Sequence, residues 1–390
     1  MNFYTLEKVV TMVVYFDNSA TTKPLLEVAN IMKELFYEYY GNPSSLHLFG
    51  KRAEDKLIES RKTLAKTLGV SQNEIIFTSG GSESNNFLIK GFAKPGNHII
   101  TSKIEHESVL NTFKQLERFG VEVTYLDVDS EGKVKIEELK ESIKKNTVLV
   151  SIMHVNNEVG VIQDLKKISS IIKEKSTRVK FHVDAVQSYG KIKINPKEMG
   201  IDLLSASAHK IYGPRGIGFA YVRKGLMPDP LICGGGQEFN FRSGTENVPA
   251  IAAFAYAADD IAKKMNDNYK KVEDLKEYFI GKLEQIDGVK INSKIGKDYL
   301  PHVLNVSFKG VRGEVFVHAL EEKEIYVSTG SACSSKKNQK SHVLMALGLD
   351  DDEIDGAIRF SFCPENTFEE IDYTVYNIEM ILKFLRRLKI

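Results

Sequence analysis

The stretch Leu203-Leu204-Ser205-Ala206-Ser207-Ala208-His209-Lys210 reads as a short buried strand whose end delivers Ser207, His209 and Lys210. A turn rich in glycine follows (Gly213, Gly216, Gly218) and leads into a second apolar run, Phe219 to Val222. Lysines are almost never buried unless paired, yet α/β proteins place reactive groups at such strand ends. About one strand upstream, His182-Val183-Asp184-Ala185-Val186-Gln187 is an apolar strand ending in a carboxylate. A lysine and an aspartate on neighbouring strand ends are what pyridoxal phosphate needs. The lysine forms a Schiff base, and the aspartate keeps the pyridine nitrogen protonated so that the ring acts as an electron sink. A plain strand-end salt bridge uses the same two residues, so other stretches must decide.

Ser79-Gly80-Gly81-Ser82 is a glycine turn that opens a helix, offering backbone N–H groups and a favourable dipole to a phosphate, with a hydroxyl from Ser82. Glycine turns also begin helices for steric reasons alone. The strand His98–Thr101 ends near Glu105-His106, and another runs into Asn156-Asn157-Glu158, where amides form turns or meet a ligand. Arg242-Ser243-Gly244-Thr245 is a further anion-friendly loop. Arg359 sits among apolar neighbours in the strand Ala357–Phe362. Cys333 lies in a polar, glycine-containing loop, residues 327–341, an unusual setting because free cysteine is among the most buried residue types. Cys363, beside Phe360 and Phe362, and Cys233, beside three glycines, read as structural. Lys336, Lys337 and Lys340 read equally as solubility residues or as a docking patch for an acidic partner.

The elements that must position these groups follow from the pattern. From Glu74 onward strands alternate with helices, which argues for a parallel sheet. After about residue 250 the composition shifts to two amphipathic helices, Ile251–Met265 and Tyr269–Ile286, and then to a second strand-and-helix region. Domains are expected at 26–255 (large) and at 1–25 with 256–390 (small). With 53 Lys+Arg against 52 Asp+Glu, the chain has no bulk attraction for nucleic acid or anionic membrane. Three scattered cysteines suggest neither a disulfide framework nor a zinc site, and a cytoplasmic setting is expected. The run Val9–Phe16 is too short to span a bilayer and lacks a small-residue cleavage site, so no signal peptide is expected. Residues before Met12 read as an upstream start or a frayed extension.

Taken together and in order, Asp17–Thr22, Gly41–Ser45, Thr78–Asn85, Glu105-His106, Ser151–Gly160, His182–Gln187, Ser207–Gly218, Arg242–Thr245, Ser331–Ser334 and Arg359 resemble the cysteine desulfurases of the NifS/IscS group. That group lies within the class V aminotransferase family of fold-type I pyridoxal-phosphate enzymes. The resemblance implies an α/β large domain with a mostly parallel seven-stranded sheet flanked by helices, and a smaller α+β domain carrying the cysteine loop. It implies a sulfurtransferase that takes sulfur from L-cysteine, leaving L-alanine and a persulfide on Cys333. The sulfur then passes to acceptor proteins for iron–sulfur clusters, thio-cofactors or tRNA thiolation. Lys210 would carry the cofactor, Asp184 would face its ring nitrogen, Gln187 its phenolic oxygen, and His106 would stack on the ring and move protons. Gly81, Ser82, Ser207 and His209 would hold the phosphate, with Thr245 reaching it from the other subunit of a homodimer. Asn157 and Arg359 would bind the substrate carboxylate, to which a guanidinium fork is suited. No resident metal is implied, beyond an iron–sulfur contact through Cys333 during transfer. The alternatives are a selenocysteine lyase or another class V reaction such as transamination, which leaves Cys333 without a role.

Two departures stand out. Ser82 replaces the more common threonine, keeping the hydroxyl. Phe239–Phe241 is more aromatic than the usual stretch before Arg242, which puts the lip of the site in question.

Overall fold

A computed structural model describes residues 12–330 and 340–388. The chain opens with β1 (Val14–Tyr15), α1 (Leu26–Glu38) and α2 (Leu48–Leu68). An alternating series follows: β2 (Ile75–Thr78), α3 (Gly81–Lys90), β3 (His98–Ser102), α4 (Glu107–Arg118), β4 (Glu122–Leu126), α5 (Ile136–Ser142) and β5 (Thr147–Ser151). It continues through α6 (Leu165–Lys175), β6 (Lys180–Asp184), α7 (Pro196–Met199), β7 (Leu203–Ser207) and β8 (Gly218–Val222). After the long α8 (Val248–Leu283) come β9 (Val289–Ile291), β10 (Val303–Phe308), α9 (Gly313–Glu321) and β11 (Ile325–Tyr326). The last elements are α10 (His342–Ala346), α11 (Asp351–Asp355), β12 (Ala357–Ser361) and α12 (Phe368–Leu388).

Seven strands form one sheet in the order β2-β8-β7-β6-β5-β3-β4, parallel throughout except that β8 runs antiparallel to both neighbours. The strands alternate between two buried faces, as a pleat requires. Ile76, Ile99, Leu149 and Leu203 pack under α3 and α4 against Phe87, Val109 and Phe113. Ile75, Ile100, Val150 and Leu204 face the other way, onto a core shared with Leu64 of α2, Ile168 of α6 and Phe254 of α8. Covering both faces is what lets a parallel sheet read as continuous apolar runs. The parallel strands, and β2 with them, bring their carboxyl ends to one edge, where a doubly wound fold binds its ligands.

The second core surrounds the antiparallel sheet β12-β10-β9 and the parallel pair β1–β11. Aromatic rings carry much of it: Phe16 meets Phe362 edge-on at 5.3 Å, and Phe279 meets Phe360 at 5.0 Å. The two expected helices after residue 250 are a single 36-residue helix, α8. The polar Asn266-Asp267-Asn268 stretch does not break it, because apolar residues on either side are committed to the two cores. Ile251, Phe254 and Ile261 belong to the first, and Val272, Phe279 and Leu283 to the second. The expected boundary near residue 255 therefore falls inside one helix.

Candidate active site

Strand ends and helix starts converge on a cavity of about 290 Å³ lined by Ser19, Gly81, Ser82, Asn85, His106, Asn157, Asp184, Gln187, Ser207, His209, Lys210 and Arg359, among others. Lys210 ends the short turn after β7, and its Nζ donates to the carbonyls of Ser19 and Ala20, the latter at 2.8 Å. Asp184 closes β6, and its two carboxylate oxygens accept from the Val186 amide at 3.0 Å and from Asn85 Nδ2 at 2.8 Å. Asn85, on α3, also donates to Ser108 Oγ at 2.9 Å, so α3 and α4 are laced to the strand end that carries the acid.

His106 is the N-cap of α4, where its Nδ1 accepts from the Ser108 amide at 3.1 Å. That bond assigns the neutral ring's proton to Nε2. Burial holds the imidazole below its ordinary pKa, keeping it in this donor form. Gln187 Nε2 donates to the Ser19 carbonyl at 3.0 Å, while its Oε1 accepts from Lys191 Nζ at 3.2 Å, which fixes which end of the amide is the donor. Lys191 is buried, and burial, with Lys210 close by, brings it down to about 7. His209, also desolvated, falls to about 4 and is neutral near pH 7.

Arg359, on β12 and only 3 % exposed, closes the cavity from the second core. Its Nη2 donates to Asp17 Oδ1 at 2.9 Å and its Nη1 to the Asn157 carbonyl at 3.0 Å, while its Nε is buried with no partner among the described residues. Glu158 also lines the cavity; burial raises its pKa, and Ser341 Oγ donates to it at 2.6 Å.

Glu105, fully buried, is pushed up to about 8 by desolvation despite hydrogen bonds from Ser102 Oγ and the Met153 amide. A carboxyl raised in the folded state keeps its proton there at pH values where the unfolded chain has lost it. Its contribution is complete below about 4.5 and disappears as the pH rises toward about 8. Thermal melts should show stability falling across that window in the native protein and falling less steeply in Glu105→Gln. Equal slopes would contradict the assignment.

The lining suits pyridoxal phosphate. A Cβ on Gly81 would lie 2.6 Å from Val186 Cγ2, so only glycine lets the first turn of α3 close on the β6 end. The free amides of that turn and the Ser82 and Ser207 hydroxyls supply phosphate donors, and the unmet Arg359 Nε suits a carboxylate.

Not every expected residue gathers there. Thr245 is exposed and does not line this chain's own cavity. Cys333, like Lys336 and Lys337, lies outside the described residues. Lys340 is paired with Asp351 at 2.9 Å. Cys363 is half-buried, with burial raising its thiol to about 12, as a packed residue should be; Cys233, read as structural, is exposed. Asp17, Asn85, Glu158, Lys191 and His342 were given no role by sequence reasoning. Apart from Lys191, which meets Gln187 four residues before it, their partners are distant in the chain.

The description of the aminotransferase class-V family matches residues 14–374. A protein named cysteine desulfurase IscS, from Dictyoglomus turgidum, is 45% identical over 378 residues, covering 96% of this chain and 95% of the relative. A protein named NifS/IcsS protein homolog, from Lactobacillus delbrueckii, is 47% identical over 368 residues, covering 92% and 94%. Among solved structures, one titled NifS-like protein superposes with a TM-score of 0.90 at 42% identity, covering 96% of this chain and 100% of its own. Another, titled SspA in complex with cysteine, gives 0.80 at 36%, covering 91% and 100%.

Proposed function

This chain belongs to the aminotransferase class-V family, and on that premise we propose that it is a pyridoxal-phosphate-dependent cysteine desulfurase whose sulfur-accepting nucleophile is Cys333. The observation that carries the reading is the convergence of Lys210, Asp184, Gln187 and Arg359 on one cavity. Gly330 and His342, on either side of Cys333 in the chain, also line it.

When bound, the cofactor supplies an electron sink for the charge that develops at the substrate Cα. Asp184 would face its ring nitrogen, Gln187 Nε2 its phenolic oxygen, and Gly81, Ser82, Ser207 and His209 its phosphate. Arg359 and Asn157 orient the carboxylate of L-cysteine. Lys210 Nζ, held over the cavity by two carbonyls, takes the Cα proton. His106 Nε2–H faces the same reaction as a hydrogen-bond donor. Cys333 Sγ, as thiolate, bonds to the sulfur of L-cysteine as the substrate Cβ–S bond breaks; the electron pair of that bond stays with the carbon skeleton, which takes up protons to leave as alanine.

The protein works as a homodimer that passes its sulfur to acceptor proteins in a reducing, cytoplasmic setting. Exposed Phe36, Tyr37, Tyr40, Leu46, Leu48 and Phe49 on α1, the following loop and the start of α2 form the kind of apolar surface that another chain covers. No described helix is long and apolar enough to cross a membrane. No described cluster of side chains is arranged to hold a metal ion.

The test is incubation with L-cysteine alone. One alanine per sulfur and a trapped persulfide mapped to Cys333 support the reading; a requirement for a keto acid, with no persulfide, replaces it with transamination.

Asp17 gives a second check. Asp17→Asn removes the charge partner of buried Arg359, and breaking such a pair costs up to about 3–5 kcal/mol, less here because Asp17 is partly exposed. The substrate-free protein should melt lower than wild type, and L-cysteine should raise its melting temperature by more than in wild type. Identical melting behaviour would remove Asp17 from any role in holding Arg359.

A further inference from the structure

Three successive non-glycine residues, Glu238, Phe239 and Asn240, have φ of 48°, 58° and 68°. L-residues visit this left-handed region singly rather than in runs, and such strain persists only where the surroundings over-determine it. Here they do. Arg61 of α2 forks onto Glu238 at 2.6 and 2.7 Å, with Arg61 6 % and Glu238 5 % exposed. Both partners are also tied to β2: Arg61 Nη1 donates to the Ile75 carbonyl at 2.7 Å, and Glu238 Oε2 accepts from the Phe77 amide at 2.8 Å. The guanidinium lies over the rings of Phe77 at 4.5 Å and Phe239 at 5.1 Å. The turn closes with bonds from the Asn240 amide to the Gln237 carbonyl and from the Phe241 amide to the Glu238 carbonyl, each 3.0 Å.

The chain leaves this turn toward Thr245 under further restraint. Arg242 Nε donates to Glu83 Oε1 at 2.9 Å, one residue beyond Ser82, and the Gly244 amide donates to Gln237 Oε1 at 3.0 Å. The result is an exposed loop tip held by the same strand that ends at the phosphate-side turn. Exposed tips of small polar residues are ordinarily loose. A stiff one is suited to meeting a ligand at a fixed point, and Thr245 does not line its own chain's cavity. Resting on the homodimer proposed above, we infer that Arg61 and Glu238 are positioning residues: they hold the left-handed turn at 238–240 so that Thr245 completes the cofactor-phosphate site of the other subunit.

The inference is testable in mixed dimers of two differently tagged chains, one carrying Lys210→Ala so that covalently held cofactor reports a single site. With Glu238→Gln on the Lys210→Ala chain, release of cofactor from the intact Lys210 should quicken roughly tenfold, the effect of one lost hydrogen bond. With Glu238→Gln on the chain that keeps Lys210, release should stay within about twofold of the unsubstituted mixed dimer. The reverse pattern, equal effects in both arrangements, or no effect in either would overturn the proposal. Arg61→Lys, which keeps the charge but loses the fork, carries the same comparison if Glu238→Gln does not fold. Failure of both to fold would make the pair a core fastening and also overturn it. Light scattering of the wild-type holoenzyme separates the premise: an active single chain removes the dimer itself, whereas an intact dimer with unchanged release removes only the role of the pair.

Discussion

Cys333→Ser should abolish the protein persulfide and almost all alanine formation from L-cysteine, while the cofactor stays bound with its absorbance intact. A serine hydroxyl is a far weaker nucleophile toward sulfur than a thiolate, and nothing else in the proposed set supplies one. Among the described cysteines, Cys363 is half-buried with its thiol pushed up to about 12, the opposite of what a nucleophile needs. Cys233 is exposed but does not line the cavity. Cys233→Ser and Cys363→Ser should therefore form persulfide as the wild type does, provided they fold. The measurement is alanine release together with persulfide trapping on the same samples. Wild-type rates from Cys333→Ser would make that cysteine incidental and return the protein to a transaminase-like reading.

The second large effect belongs to Lys210. In Lys210→Ala, turnover should fall by about 10²–10⁴-fold or more, because proton transfer at the substrate Cα loses its positioned base. Covalent retention of the cofactor should vanish as well. Borohydride reduction of the wild-type holoenzyme, followed by peptide mapping, should find the pyridoxyl group on Lys210. Its appearance on Lys191 instead would be informative, since that buried amine, brought down to about 7, stands one Gln187 side chain away. Label there would exchange the roles of the two lysines and sink the assignment.

The strand ends were legible because a parallel sheet buried on both faces writes itself as apolar runs, and five of the seven strands here end on a polar residue. Asp184 and Ser207 close β6 and β7, with Lys210 three residues after β7. The start of α3 was legible from the glycine at Gly81. Pairing across the fold was not. Asp17 meets Arg359 across 342 positions, and no local pattern announces such a contact. Glu158 meets Ser341 across 183 positions in the same way. The continuity of α8 was missed because three polar residues resemble a break, while the packing that overrides them comes from two separate cores. The strain at Glu238–Asn240 carried only a hint, the unusual aromatic content of Phe239–Phe241.

The pairing of β1 with β11 bears on how the protein is made. Val14 and Tyr15 lie at the beginning of the described chain, yet their hydrogen-bonded neighbours are Ile325 and Tyr326. Phe16, fully buried in the finished molecule, packs on Phe279, Phe360 and Phe362. At ordinary elongation rates of about 5–20 residues per second, this apolar segment leaves the ribosome tens of seconds before its partners exist. The large sheet can assemble in the meantime, since all seven of its strands are translated before α8. Asp17, on the other hand, meets Arg359, and the Ser19 amide meets Ser361 Oγ, only when the last strand arrives. The nascent chain thus carries a sticky segment around Phe16 through most of the synthesis of these residues, and that segment is where a holding chaperone would be needed.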